Sequence, residues 1–262
     1  MQHSGTVPPL VEVKGIAKSY GAVRALRHAE FSVNAGEVVA IAGDNGAGKS
    51  TLMKILSGII IPDGGEILFE GKRASIRSPQ DANQLGIQTV YQDLALCGNL
   101  DTVDNIYLGR ELRTAPWRGY RLRRPAMEKQ ARKMLDDLQI RIQRIDVPVS
   151  TLSGGQRQCV AVCRAVLGEP KVVILDEPTA ALGVTQTRDV LKLIDRLRNQ
   201  GRGVILVSHD LTEVLRIADR IVVLFRGETV ADMPGKQWSE HSLVAAITGA
   251  TAGIKYEVVG EH

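Results

Sequence analysis

Three stretches hold residue types at spacings that can do chemistry. The first is "GDNGAGKST", Gly43 to Thr51. Glycines let backbone N–H groups converge without Cβ clashes, and a helix starting there adds unpaired N–H groups and the positive end of its dipole. Such a site favours an anion by about 0.3–2 kcal/mol. Gly43, Asp44, Asn45, Gly46, Ala47 and Gly48 would form the cradle, with Thr51 closing the motif. Lys49 would reach the β- and γ-phosphates of a nucleotide, and Ser50 would hold Mg2+. The second stretch is "VVILDEP", where Asp176 and Glu177 follow four aliphatic residues. A strand-end Asp176 suits the same Mg2+, while Glu177, pointing the other way, suits a general base acting on water. A pair of exposed strand-end carboxylates would read the same. The third is "LSGGQRQ", with Ser153, Gly154, Gly155 and Gln156 ahead of a helical pattern. It reads equally as a second anion-ready helix start and as a serine cap with a glycine turn.

The flanking residues supply the elements that must position these groups. "EVVAIAG" predicts a buried strand before the first loop, and "TLMKILSG" predicts a helix after it, with Leu52, Ile55 and Leu56 on one face. "VEVKGIAKSY", "HAEFSV" and "GEILFEGKR" alternate as antiparallel strands do. "KVVILDE", "RGVILVSHD" and "RIVVLFRGE" read as strands, the first two followed by helical patterns, which predicts a parallel sheet with crossovers. Between Leu94 and about Leu152 the pattern turns helical, and Pro125 opens a helix carrying Met127, Ala131, Met134, Leu135 and Leu138 on one face.

The chain has 262 residues, 44% of them hydrophobic, enough for a substantial core. No apolar run approaches the ~18 residues of a membrane span, and the start lacks a signal-peptide stretch, so a soluble, cytoplasmic protein is expected. Three cysteines are too few for a disulfide framework; Cys159 and Cys163 read as reduced helix-packing residues. The net charge of +4 is uneven. Arg110 to Lys133 holds nine Lys or Arg and two Glu, a net +7, which leaves −3 for the rest. Such a segment can face phospholipid, nucleic acid or a protein partner, or be a solvated surface lobe.

"GDNGAGKST", "YQD", "LSGGQRQ", "VVILDEP" and "VSHD", in that order, resemble an ATP-binding cassette (ABC) ATPase from about Leu10 to Gly249. The resemblance implies a P-loop NTPase (RecA-like) α/β core with an N-terminal antiparallel β subdomain and an inserted helical subdomain. Residues 1–92 and 160–262 would form the core lobe, and 93–159 the helical one. ATP and Mg2+ are the implied cofactors. Tyr20, 23 residues before Gly43, matches the aromatic that stacks on adenine. Gln92 matches the glutamine that senses Mg2+ and the water, and His209 the histidine that contacts the γ-phosphate. Ser153, Gly154, Gly155 and Gln156 would cover the γ-phosphate held by a second copy of the chain. Two copies would thus enclose two ATP molecules, and hydrolysis would release them.

"PTAALGV", "SPQDANQLGIQTVYQDLAL" and "DNIYLGRE" are similar to the import ATPases of the ribose, xylose and fructose type. That branch implies integral membrane permease subunits, an extracytoplasmic sugar-binding protein, and a peripheral location on the cytoplasmic face of the inner membrane. Gly183 stands where most relatives place an aspartate that crosses the dimer interface. A single cassette implies a homodimer, and the regulatory domain of maltose-type ATPases is not expected. The rival class is a soluble cassette ATPase acting on nucleic acid or ribosomes, with the basic segment as its footprint. It tends to carry a coiled coil, a zinc motif or a second cassette, none of which is present, so no nucleic acid is expected. The basic segment is expected instead to orient the helical lobe toward an acidic membrane surface or the permease.

Overall fold

The structure is a computed structural model that describes residues 7–115, 117 and 119–250. The chain opens with a hairpin of β1 (Val11–Tyr20) and β2 (Val23–Val33), then β3 (Val38–Ala42) and α1 (Lys49–Leu56). Next come β4 (Gly64–Phe69), β5 (Lys72–Ala74), α2 (Pro79–Leu85), β6 (Ile87–Val90), α3 (Thr102–Tyr107) and α4 (Arg124–Asp137). The remainder is α5 (Gly154–Val166), β7 (Val172–Asp176), α6 (Val184–Asn199), β8 (Gly203–Val207), α7 (Leu211–Ile217), β9 (Arg220–Phe225), β10 (Glu228–Pro234) and α8 (Glu240–Thr248).

The strands lie in the order β5-β4-β1-β2-β10-β9-β3-β8-β7-β6. β9, β3, β8, β7 and β6 are parallel neighbours, while β1, β2, β4 and β5 pair antiparallel. The β9–β10 hairpin joins the two regions. Burial on both faces explains the near-continuous aliphatic runs. Ala40, Val173, Leu175, Val204 and Leu206 face α5, α6 and the helical stretch. Val39, Ile41, Ile174, Ile205 and Val207 face α1 and the antiparallel strands. Both faces are dry, so the strands are rigid and their carboxyl ends are fixed points for loops.

Residues 94–152 are less helical than their pattern predicts. Among the described residues, only α3 and α4 are α-helical there; the others lie in turns, a short 3-10 turn and two isolated bridges, Asp101 with Pro148 and Arg113 with Leu122. Glycine and proline, at Gly98, Gly109, Gly119 and Pro148, interrupt helix propagation. On α4, Met127, Ala131 and Leu135 are buried, with Leu138 at its end and Met134 partly buried. α5 runs unbroken across the expected division between 159 and 160. Cys159 and Cys163 are buried free thiols within it. Burial pushes the Cys159 thiol up to about 12 and Cys163 higher still.

The basic segment is also less free than its charge count implies. Arg124 is ion-paired to Asp101 and Asp104 at the start of α3, and Arg132 to Glu128. Arg113 pairs with Glu111. Arg124 therefore ties α4 to the start of α3, while the pairs of Arg113 and Arg132 are local.

Candidate active site

β3, β8 and β7 lie side by side, and three groups leave their carboxyl ends together, as ligand sites do in open parallel sheets. After β3, the loop from Gly43 leads into α1. Gly48 is the N-cap residue, with φ at 109°. A Cβ on it would lie 2.6 Å from Leu26 Cδ2 and 2.7 Å from the Ala25 carbonyl, so the loop can lie against β2 only because Gly48 has no side chain. The Gly227 N–H fixes the loop from the other side by donating to the Ala47 carbonyl at 3.0 Å.

No side chain caps α1. Ser78, Asp101, Ser153, Asp210 and Ser239 cap α2, α3, α5, α7 and α8, whereas α4 and α6, like α1, have no side-chain cap. The first turn of α1 thus keeps N–H groups for an external anion. Lys49 Nζ bends back over the loop and donates to the carbonyls of Gly43 at 2.6 Å and Asp44 at 3.0 Å. Burial lowers its pKa, while Glu177, Asp44 and Asp176 oppose that shift. Ser50 is exposed one residue further on, with Thr51 half-buried behind it; Asp44, Asn45 and Gly46 are exposed.

Asp176 ends β7, in register with Val207 of β8. Burial raises its pKa, and Glu177 adds to this; Lys49 and Lys54 oppose it. Glu177 leaves the strand in a left-handed conformation, φ 51°. That backbone costs a non-glycine residue about 1–2 kcal/mol. The turn swings the Glu177 carboxylate to His209, whose Nδ1 lies 2.7 Å from Oε2. The Glu177 N–H donates to the Val207 carbonyl at 2.9 Å, so β8 locks both residues. The carboxylate is mostly buried and the imidazole mostly exposed, with side-chain exposures of 16% and 75%. One end of the pair is therefore held and the other is presented.

Tyr20 ends β1 opposite Val23 and is 47% exposed. Ala25 and Leu26, just beyond Val23, are the residues against Gly48, so the tip of this hairpin stands beside the loop. Gln92 is exposed two residues past Val90, which pairs with Leu175. It thus lies at the same sheet edge as Asp176.

Ser153 and Gln156 form a capping box: Gln156 N–H donates to Ser153 Oγ at 3.2 Å, and Ser153 N–H donates to Gln156 Oε1 at 3.0 Å. Beside them, a Cβ on Gly154 would meet Leu182 at 3.0 Å and one on Gly155 would meet Gln186 at 3.0 Å. Among the described residues, no hydrogen bond joins these four to the Lys49 loop. The structure brings Lys49, Asp176, Glu177 and His209 to one sheet end and leaves the Ser153 motif elsewhere in the same chain.

Sequence reasoning missed the Thr179–Glu213 hydrogen bond. It ties the turn after Glu177 to α7, which follows His209. The Asp210 cap, accepting from the Glu213 N–H at 3.1 Å, was the available signal.

The donors offered to a cation are the Ser50 hydroxyl, the Asp176 carboxylate and the Gln92 amide oxygen. All are hard oxygens. Among the described residues, no group of three His, Cys, Asp or Glu is placed to hold a metal ion by itself. One carboxylate plus substrate oxygens is the way Mg2+ is held, since it keeps several waters. The half-buried Asp176, pressed by Glu177 toward protonation, is a group that a divalent cation would relieve, so the residues fit Mg2+.

An uncapped helix after a glycine loop, a lysine folded over it and a strand-end carboxylate pair define a phosphate-loop nucleoside triphosphatase. Residues 26–180 match the family described as "ABC transporter". The chain belongs to that family, as one of its ATP-binding subunits. It is 45% identical to a xylose/arabinose import ATP-binding protein of Sulfolobus acidocaldarius, covering 93% of this chain and 96% of that one. It is 48% identical to a fructose import ATP-binding protein of Rhizobium meliloti, covering 92% and 95%. A ribose import ATP-binding protein of Rubrobacter xylanophilus is 43% identical over 85% of this chain but only 44% of its own length. Among solved structures, a nucleotide-free ATP-binding cassette aligns with TM-score 0.77 at 26% identity, covering 97% of this chain and 100% of that one. A bacterial ABC transporter cassette solved as a dimer aligns with TM-score 0.72 at 26% identity, over 86% and 98%.

Proposed function

We propose that this chain is the ATP-hydrolysing subunit of a monosaccharide importer, working as a homodimer on the cytoplasmic face of the inner membrane. One observation carries the reading: the xylose/arabinose and fructose import proteins, at 45% and 48% identity, are matched over 96% and 95% of their own lengths. The nucleic-acid alternative has no support among these relatives. Among the described residues, no helix is long and apolar enough to cross a membrane, which suits a subunit that docks on separate permease subunits. A sugar-binding protein outside the membrane would deliver the cargo.

In this reading, Tyr20 stacks on adenine. The N–H groups of Gly46, Gly48 and the first turn of α1 bind phosphate oxygens, and Lys49 exchanges its two carbonyl partners for the β- and γ-phosphates. Ser50, Asp176 and Gln92 would hold Mg2+, which would supply neutralisation of the developing phosphate charge. Glu177 takes a proton from the attacking water as the new O–P bond forms and the bond to the ADP oxygen breaks. His209 positions that carboxylate through Nδ1 and turns its exposed edge to the γ-phosphate. Ser153, Gly154, Gly155 and Gln156 of a second copy close the site. The separation of the Ser153 motif from Lys49 within one chain supports this arrangement, as does the dimeric cassette of like fold. ATP then favours the closed pair, and loss of the γ-phosphate reopens it.

The test is to purify the chain from its native membrane, identify the permease that accompanies it, and reconstitute the assembly with its binding protein. One monosaccharide should stimulate ATP hydrolysis several-fold. Hydrolysis indifferent to every sugar tried, with no permease attached, would end this reading.

A further inference from the structure

Backbone hydrogen bonds close a short hairpin in the helical lobe. The Thr114 N–H donates to the Arg121 carbonyl at 2.8 Å, and the Arg123 N–H to the Leu112 carbonyl at 2.7 Å. The hairpin presents three large apolar side chains to solvent: Trp117 at 84% exposure, Tyr120 at 56% and Leu122 at 52%. Arg121 and Arg123 are exposed beside them and, among the described residues, have no acidic partner. The guanidinium of Arg113 lies 5.3 Å from the centre of the Tyr120 ring. No core requires these side chains outside, and their exposure costs solubility.

We propose that this hairpin is a membrane-surface contact: Trp117, Tyr120 and Leu122 enter the headgroup region of the bilayer while Arg121 and Arg123 pair with anionic lipid phosphates. Tryptophan and tyrosine prefer that interface because each has an apolar body and a polar edge. A nucleic-acid groove is the poorer fit. It needs a row of cations that tracks several phosphates, whereas here the two arginines alternate with large apolar side chains, and Arg124 nearby is paired to Asp101 and Asp104. Among the described residues of the hairpin, two arginines without a carboxylate partner make a weak anchor by themselves, which suits a subunit whose main attachment is a protein. The proposal goes beyond the transport reading and needs no particular cargo.

The chain has two tryptophans, and Trp238 is 7% exposed, so emission changes report on Trp117. The full chain is mixed with vesicles of equal parts phosphatidylcholine and phosphatidylglycerol, or of phosphatidylcholine alone, at low salt. A blue shift and co-sedimentation are expected with the anionic vesicles only. Arg121→Gln with Arg123→Gln should weaken partitioning roughly 30-fold, at about 1 kcal/mol per arginine. Trp117→Ser should remove the blue shift, and ATPase activity of both variants in solution should be unchanged. Absence of an emission shift with anionic vesicles would overturn the proposal. So would arginine-dependent binding of an RNA oligonucleotide stronger than vesicle binding, or binding only when the vesicles contain the permease. Loss of vesicle binding with intact sugar-stimulated hydrolysis would sink this inference alone.

Discussion

Substituting Gly48 tests whether the phosphate cradle is shaped by its contact with β2. In Gly48→Ala, the backbone at φ 109° has to accept a side chain, which costs about 1–3 kcal/mol. The new methyl also falls 2.6 Å from Leu26 Cδ2 and 2.7 Å from the Ala25 carbonyl. Leu26 can adjust, but Ala25 belongs to a paired strand and cannot retreat far. Overpacking of that kind costs a further ~1–3 kcal/mol. The sum is about 2–6 kcal/mol, a large share of a typical 5–15 kcal/mol. At about 2–4 °C per kcal/mol for a chain of this size, the melting temperature should fall by about 4–24 °C. Gly46→Ala is the control. Its φ is 82°, yet no atom lies within 4 Å of the added Cβ, so only the backbone cost of about 1–3 kcal/mol applies. Thermal unfolding of the two variants without nucleotide, followed by circular dichroism, gives the comparison. Equal losses, or a larger loss at Gly46, would refute the steric argument.

Glu177→Gln should lower kcat by about 10²–10⁴, the usual worth of a general base. It should leave an ATP-held dimer visible by size-exclusion chromatography; turnover within tenfold of the parent would remove Glu177 from that role. Its melting temperature should barely move, because the His209 side of the pair is in water and such pairs contribute about 0–1 kcal/mol. Burial raises the Glu213 pKa above 4.5, opposed by the Thr179 hydrogen bond; Asp210 and Glu177 raise it further and His209 opposes. A raised folded value means that the group's contribution to stability is present below its unfolded pKa and fades as pH climbs through the folded one. Glu213→Gln should therefore flatten the fall in melting temperature above about pH 4.5 while keeping an acceptor for Thr179; an unchanged slope contradicts it. Arg124→Gln leaves Asp101 and Asp104 without their cation and should cost about 1–2 kcal/mol, or roughly 2–8 °C, in a thermal melt.

The parallel core was legible because each strand is a run of aliphatics ending in a residue of another kind. "VVILDE" gives both the strand and its end, and β7 indeed stops at Asp176. The left-handed turn at Glu177 was not legible. Glutamate has no preference for that conformation, and the groups that hold it there, the Val207 carbonyl and His209, are distant in sequence. The glycines of "LSGG" suggest a loop, yet their tight approach to Leu182 and Gln186 depends on α6. Arg124 looked like one more surface cation because ion pairs across the chain leave no local pattern. The hairpin at 112–123 escaped notice because a single bridge carries no alternation to detect.

The cysteines have a practical consequence. Cys159 and Cys163 are sealed inside α5 with their thiols held neutral, whereas Cys97 is only partly covered. A maleimide dye added to the folded protein should therefore attach at one place without any engineering, and mass spectrometry would find a single adduct on the peptide containing Cys97. That residue is gripped through its own peptide groups by Asn105, at 2.8 and 3.1 Å, five positions after Gln92. The native molecule thus carries a ready-made attachment point for an optical probe on the loop between β6 and α3.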